Sequence, residues 1–164
     1  MNNWYRFRLG GLNSHLILTL MKDFENFGDI NKKDLIELNY SKETIDSISS
    51  LLEIDLEDEK EKYKRNKVRI LSYNSDEYPR MLKEISNPPP FLYVKGNGDF
   101  SNKSLAVVGT RKISSYGKLA CDKIVSGFNN KGITIVSGLA LGVDTYAHEI
   151  ALKGNSSVIG VVAQ

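Results

Sequence analysis

Three short apolar runs that alternate with helical segments constrain the fold of this chain more than any other feature. The runs lie at 105–108, 133–136 and 158–162, and helices are predicted over about 116–130 and 144–153. Because the runs are almost continuously apolar and rich in β-branched residues, they predict strands buried on both faces. Right-handed crossovers between such strands place both strand-to-helix loops at the same carboxyl edge of a parallel sheet.

The first third of the chain has a different pattern, typical of short helices. Asn13-Ser14, Asn31 and Ser41 each stand at the start of an amphipathic stretch and predict helix N-caps. A highly charged segment over 55–67, with acids first and bases last, predicts a solvated connecting helix. We therefore expect an all-α module over residues 1–66, of the SAM or helix-hairpin-helix kind. A second domain over residues 67–164 then begins with strand candidates at 68–73 and 91–96.

The charge is distributed unevenly between these two parts. Residues 1–66 hold 10 Lys/Arg and 13 Asp/Glu, a net charge of −3, whereas residues 67–164 hold 12 and 7, a net charge of +5. This asymmetry is compatible with an anion-binding second half, although many globular surfaces are as basic. One cysteine excludes a disulfide framework or a Cys-rich metal cluster. The apolar runs are too short to span a membrane and no signal peptide is evident, so we expect a cytoplasmic protein.

The two strand-to-helix loops carry the residue types that bind phosphate. Glycines allow close backbone approach, hydroxyls donate to oxygen anions, and a guanidinium matches phosphate bidentately at helix N-termini. The predicted phosphate-binding residues are Gly109, Thr110, Arg111, Lys112, Ser137, Gly138 and Gly142. The alternative interpretation is that tight strand-to-helix connections require these glycines whether or not a ligand binds.

Known nucleotide motifs and catalytic groups are absent from these loops. Neither the Walker pattern nor Gly-x-Gly-x-x-Gly follows the first strand, so the usual equipment for ATP hydrolysis or nicotinamide chemistry is missing. Asp144 and His148 share a helix face, but a helix cap and its neighbour are favoured over an acid/base pair. Cys121 is predicted to be a core residue. We therefore predict no catalytic residue, no metal site and no cofactor.

Several aromatic residues have two possible roles. Trp4, Tyr5 and Phe7 can stack on nucleic-acid bases, but anchoring the N-terminal segment on the core is favoured. Tyr116, just inside the helix after the first loop, can contact bases or pack against the protein. Arg111, Lys112 and Lys118 supply a basic track for phosphates beside it.

Four separated segments resemble the DNA-processing protein A family, also called Smf or DprA. They are "DEYPRMLKEISNPPPFLYVKG", "AVVGTRKISSYG", "IVSGLALGVDTYAHEIAL" and "SSVIGVVAQ", in order and with matching spacing. The resemblance implies a Rossmann-like, doubly wound, mostly parallel α/β sheet that binds single-stranded DNA without nucleotide hydrolysis. It also implies protection of incoming DNA in natural transformation, loading of a RecA-type recombinase, and a homodimer in the full-length family proteins.

The same resemblance assigns the family's Gly-Ser/Thr-Arg motif to Gly109, Thr110 and Arg111, with the arginine on the DNA backbone. Two departures stand out. Leu141 occupies a position where a cation is common in the family, and the chain stops at Gln164, where the family continues into further strands and helices. A C-terminally truncated piece is therefore expected. The alternative function is a Rossmann-like enzyme that cleaves a phosphoribosyl or ADP-ribosyl bond, although its Pro-Gly-Gly-x-Gly-Thr signature is missing.

Overall fold

A computed structural model of the chain describes residues 2–97 and 100–163. The chain forms two compact units, Met1–Asn97 and Gly98–Gln164. The boundary predicted after residue 66 therefore lies inside the first unit. The reason is that the strand pair that follows residue 66 contributes side chains to the same core as the preceding helices.

The first unit begins with five helices, three of which start directly after the predicted caps. They are α1 (Tyr5–Leu9), α2 (Ser14–Asp23), α3 (Lys32–Glu37), α4 (Lys42–Leu51) and α5 (Glu57–Arg65), with a 3-10 turn at Phe27–Asp29 between α2 and α3. The side chains of Asn13, Asn31 and Ser41 accept hydrogen bonds from backbone N–H groups three residues later. The three cap predictions are therefore confirmed.

Aromatic residues near the N-terminus form part of the core of this unit. Trp4, Tyr5 and Phe7 are buried, so the prediction that they anchor the N-terminal segment is confirmed. The Tyr5 hydroxyl lies 3.0 Å from that of Tyr63 and 2.9 Å from that of Tyr93. Burial and these neighbouring hydroxyls raise the pKa of Tyr5, so its phenol stays neutral and can hold α1 against α5 and the strand that carries Tyr93.

An antiparallel strand pair completes the first unit. Strand β1 (Val68–Ser72) pairs with β2 (Phe91–Lys95), with Val68 opposite Lys95 and Ser72 opposite Phe91. The connection between them contains α6 (Arg80–Lys83). The buried Tyr78 donates a hydrogen bond to the carbonyl oxygen of Pro89 at 2.7 Å, which ties the start of this connection to its end.

The second unit is a parallel sheet with two helices. Its elements are β3 (Lys103–Ala106), α7 (Ser115–Ser126), β4 (Ile133–Ser137), α8 (Val143–Lys153) and β5 (Val158–Gly160). The strands lie in the order β3-β4-β5 and all pair in parallel, so the predicted α/β class is confirmed. Helix α7 ends four residues before the predicted end. After Ser126 the backbone changes to tighter i→i−3 hydrogen bonds, from Phe128 to Val125 and from Asn129 to Ser126.

The core of the second unit lies between the sheet and its two helices. It contains Cys121 and Val125 of α7, Ile135 of β4, and three residues of α8 (Ala147, Ile150 and Ala151). The prediction that Cys121 is a core residue is confirmed, and burial, with a contribution from Asp122, raises the pKa of its thiol. Within residues 2–97 and 100–163, no helix has the length and apolar character needed to cross a bilayer.

Candidate nucleic-acid interface

The two strand-to-helix loops of the second unit lie against each other. The loop over 107–114 joins β3 to α7, and the loop over 138–142 joins β4 to α8. The N–H of Val143 donates to the carbonyl oxygen of Thr110 at 3.1 Å, which links the start of α8 to the first loop. The prediction that these turns meet at one edge of the sheet is therefore confirmed.

Gly142 and Gly109 are the positions at which the two loops touch. Gly142 has a φ of +89°, and a Cβ atom there would lie 2.2 Å from the carbonyl oxygen of Thr110. A Cβ atom on Gly109 would lie 2.7 Å from Cγ2 of Val143. Only glycine fits both the backbone conformation at 142 and the space between the loops. Contact between the loops therefore suffices to account for both glycines.

A buried carboxylate joins the two loops as well. Asp144 is the second residue of α8 and is 6% exposed; its Oδ1 accepts from the N–H of Gly109 at 3.3 Å and its Oδ2 from that of Gly138 at 3.0 Å. Burial opposes ionisation, but these N–H donors outweigh it and hold the pKa of Asp144 below its ordinary value. The residue was expected to cap α8, yet Gly142 occupies the N-cap position. Asp144 instead holds the loops together.

Ser137 also faces the protein interior. It is buried at the end of β4, and its hydroxyl donates to the carbonyl oxygen of Val107 at 2.6 Å. Four of the seven predicted phosphate ligands thus have donors engaged within the protein, because the N–H groups of Gly109 and Gly138 serve Asp144 and the Thr110 hydroxyl donates to the carbonyl oxygen of Lys112 at 3.4 Å. The remaining three are Arg111, Lys112 and Gly142.

The first loop presents its side chains to solvent. Thr110, Arg111 and Lys112 are all exposed, and the Oγ1 of Thr110 accepts from the N–H of Lys112 at 3.1 Å, which closes a small local turn. Within the part of the chain that the structure describes, the guanidinium of Arg111 has no hydrogen bond and no ion pair. An uncompensated guanidinium at this edge is available to an anionic ligand.

Open backbone donors lie beside these cations. For Arg111, Ser115 and Gly142, no hydrogen-bond acceptor for the backbone N–H is present among the residues described. Ser114 caps α7 by accepting from the N–H of Gly117 at 3.1 Å, whereas the N–H of Ser115, the first residue of that helix, stays without an acceptor in the described part of the chain. Such groups at a helix start favour anions.

A chain of contacts that the sequence analysis missed connects α7 to α8. The ammonium of Lys118 lies 5.7 Å from the centre of the Tyr146 ring, and the Tyr146 hydroxyl donates to Oδ2 of Asp122 at 3.0 Å. The hydrogen bond to Asp122 raises the pKa of Tyr146. Lys118 and Asp122 are four residues apart on α7, and that spacing alone was the signal that they share a helix side. The exposed Lys118 is thereby held near the open end of α7.

The candidate acid/base pair is not assembled as a pair. The carboxylate oxygens of Asp144 serve Gly109 and Gly138, and the buried Nε2 of His148 has no hydrogen-bond partner among the residues described. The predicted cap role of Asp144 was wrong, because Gly142 is the N-cap and the Asp144 carboxylate accepts from loop amides instead. No group of acids, histidines and cysteines within residues 2–97 and 100–163 is arranged to hold a metal ion.

The family model for DNA recombination-mediator protein A matches residues 69–164, which is more than half of the chain. The chain belongs to this family. The match begins at β1, close to the predicted boundary after residue 66, although β1 and β2 pack in the first compact unit. The recombination-mediator family match therefore covers the second unit and part of the first.

Two curated relatives of the recombination-mediator family extend the likeness further. DNA processing protein DprA of Streptococcus pneumoniae is 31% identical over 160 residues, which is 96% of this chain and 56% of that protein. Protein Smf of Borreliella burgdorferi is 34% identical over 142 residues, 85% of this chain and 45% of that protein. The chain thus spans about half the length of these two relatives.

A solved structure supports the same conclusion. The X-ray structure of DNA processing protein A from Streptococcus pneumoniae matches with a TM-score of 0.74 at 30% identity. The match covers 99% of this chain and 58% of that one. The structural likeness to this DNA processing protein therefore includes the helices of the first unit, which the sequence motifs alone did not connect to the family.

Proposed function

We propose that this chain is the DNA-binding part of a recombination mediator and that it holds single-stranded DNA by its sugar-phosphate backbone. The observation that carries the proposal is the exposed guanidinium of Arg111, which has no hydrogen bond or ion pair with any described residue and lies at the edge where the two loops meet. Lys112 and Lys118 add positive charge on the same side, and open N–H groups of the loops add donors. Backbone contacts of this kind bind without reading sequence.

The proposal extends to the full-length protein. There we infer protection of incoming strands in natural transformation, delivery of a RecA-type recombinase, assembly as a homodimer, and action in the cytoplasm. We also propose that the chain binds DNA without catalysis. The engagement of Asp144 within the loops and the burial of His148 and Cys121 support this, because none of them faces the open edge.

The test is fluorescence anisotropy with labelled single-stranded and double-stranded oligonucleotides across a salt series. We expect tighter binding to single strands and a fall in affinity with salt, with a log-log slope of about −0.7 for each phosphate contacted. Arg111→Ala is expected to weaken binding at least several-fold and to reduce the magnitude of the slope by about 0.7. Arg111→Lys is expected to keep the slope but lose part of the affinity, because an ammonium cannot form the bidentate contact.

Lys153→Ala provides a charge control. Lys153 is the last residue of α8, about 15 Å along the helix axis from the loop edge, and it is exposed. Lys153→Ala lowers the net charge of the chain by one, as Arg111→Ala does, but is expected to leave DNA binding almost unchanged. Equal losses for R111A and K153A would indicate nonspecific attraction and contradict the proposal, and so would binding that does not depend on salt.

A further inference from the structure

We propose that one side of α7 contacts the bases of the bound strand; this rests on the function proposed above. The surface consists of Tyr116, Leu119 and Lys123, and we call it the α7 stripe. At 100° per residue, these three side chains fall within about 60° of one another around the helix axis. The buried residues Cys121 and Val125 lie on the opposite side of the helix.

Tyr116 is the central residue of this proposal. Its side chain is 80% exposed, and it makes no hydrogen bond or ring contact with any residue that the structure describes. Leu119, one turn further along, is 69% exposed. Neither side chain is needed to fill the core of the unit, so the packing role considered for Tyr116 does not account for its position.

The charge around the stripe matches a nucleic acid. Arg111 and Lys112 lie just before the helix, and Lys123 continues the positive charge at the far end of the stripe, about 10 Å beyond Tyr116. Asp122, the acidic residue of α7, accepts a hydrogen bond from Tyr146 of α8. The stripe itself therefore combines an aromatic ring, an apolar side chain and a cation.

Single-strand binding needs these components together. A cationic path follows the phosphates, while an aromatic ring stacks on a base of any identity, since every base has a π-face. In this chain Arg111 and Lys112 hold the backbone as it enters, and Tyr116 stacks on the first base that reaches α7. Duplex DNA has no unstacked base to offer, so the stripe favours single strands.

An abasic oligomer separates stacking from phosphate contacts. Anisotropy titrations of the 164-residue chain use labelled oligothymidylate and an abasic oligomer of the same length. Tyr116→Ala is expected to weaken oligothymidylate binding at least about fivefold, whereas Tyr116→Phe retains it. Y116A is expected to bind the abasic oligomer as the unaltered chain does and to keep the same salt slope. R111A weakens binding to both.

Leu152→Ala is the matched control for loss of exposed apolar surface. Leu152 is 59% exposed near the end of α8, away from the loop edge, and its substitution is expected to leave both titrations unchanged. A second measurement uses Tyr116→Trp, because the native Trp4 is only 3% exposed. The introduced indole is expected to be quenched by oligothymidylate and not by the abasic oligomer.

The outcomes distinguish the two proposals. If the unaltered chain binds oligothymidylate and Y116A binds it equally well, stacking by Tyr116 is overturned while the DNA-binding function stands. Stacking by Tyr116 is also overturned if the Y116A substitution weakens binding to the abasic oligomer as much as binding to oligothymidylate. It is overturned as well if oligothymidylate does not quench the indole of Y116W. If the unaltered chain binds neither oligomer, the proposed function fails and the α7 stripe has no role in DNA binding.

Discussion

Gly142 is the residue at which the two loops come closest, and its neighbours are backbone atoms. Its positive φ and the 2.2 Å separation from the Thr110 carbonyl oxygen constrain it independently. A side chain at this position must strain the backbone and push the first loop outward at the same time. Because Arg111 follows Thr110, the effect reaches the proposed DNA contact.

Gly142→Ala is therefore expected to destabilise the protein and weaken DNA binding together. The strained φ alone costs about 1–3 kcal/mol of unfolding free energy, and the overlap with Thr110 adds to it. Urea denaturation measures the first effect and anisotropy the second. Gly28→Ala is the control, since nothing lies within 4 Å of a Cβ atom there. If G142A and G28A unfold at the same urea concentration, the loop contact is not tight.

The same residue types can serve a ligand or another part of the protein, and the sequence does not distinguish the two. Ser137 and Gly138 were predicted to bind phosphate because hydroxyls and N–H groups at this edge are good donors. In the structure the Ser137 hydroxyl donates to Val107 and the Gly138 N–H to Asp144. Val107 lies 30 residues before Ser137, and Asp144 lies in the helix that follows Gly138. The local sequence pattern around Ser137 and Gly138 carries no information about either acceptor.

At the scale of the elements, α8 holds both strand-to-helix loops through Asp144. The carboxylate of Asp144 accepts from Gly109 in the loop before α7 and from Gly138 in the loop before α8. Burial alone would raise the pKa of this carboxyl, but the N–H groups of Gly138 and Gly109 lower it. In the unfolded chain the pKa of an aspartate carboxyl is about 3.9. Because the pKa of Asp144 is lower in the folded protein, its ionised carboxylate stabilises the fold at neutral pH. This contribution declines as the pH falls below about 4 and is lost below the folded pKa.

Asp144→Asn is expected to lower the Tm at pH 7, because an amide oxygen replaces two charged acceptor oxygens. The difference in Tm between D144N and the unaltered chain should be constant above about pH 5 and shrink as the pH falls through the folded pKa. Calorimetry across this range measures it. The exposed Asp76→Asn is expected to show a much smaller difference at every pH. If the Tm difference between D144N and the unaltered chain grows as the pH falls, the pKa of Asp144 is not lowered by folding.

Elements defined by local interactions were predicted well. The caps at Asn13, Asn31 and Ser41 act on N–H groups three residues away, so the sequence contains everything that decides them. Of the parallel strands, β4 and β5 begin at the predicted residues, 133 and 158. Strand β3 begins two residues before the apolar run predicted at 105–108, because it includes the polar Lys103 and Ser104, and it ends at Ala106. The end of α7 was misplaced by four residues, although Gly127, the C-cap that directly follows Ser126, is a stop signal that the sequence contains.

At the scale of the whole molecule, the compact units do not coincide with the family match. The match begins at residue 69, yet the first unit continues to Asn97. Phe91 is buried in the helical core, and Ile70 and Tyr93 pack against it. These contacts are between residues far apart in sequence, and a change of composition after residue 66 does not reveal them.

Two fragments test which boundary governs folding. A fragment over residues 1–97 is expected to unfold cooperatively, whereas one over residues 1–66 lacks Phe91, Ile70 and Tyr93. Loss of the Phe91 side chain alone costs about 3–5 kcal/mol in a buried core. Far-UV circular dichroism during heating measures both transitions. If the shorter fragment melts as cooperatively and at the same temperature as the longer one, the strand pair is not part of the first unit's core.

The double hydrogen bond of Asp144 has a consequence for the motions of the loop edge. A single carboxylate closes both loops, so releasing Gly109 from it exposes a buried charge that also serves Gly138. Partial opening of one loop is therefore disfavoured, and the two loops are expected to open in one cooperative local-unfolding event. The amide hydrogens of Gly109 and Gly138, both bonded to Asp144, are then expected to exchange with solvent at a shared rate, and the backbone around Arg111 is expected to move only when both loops open together.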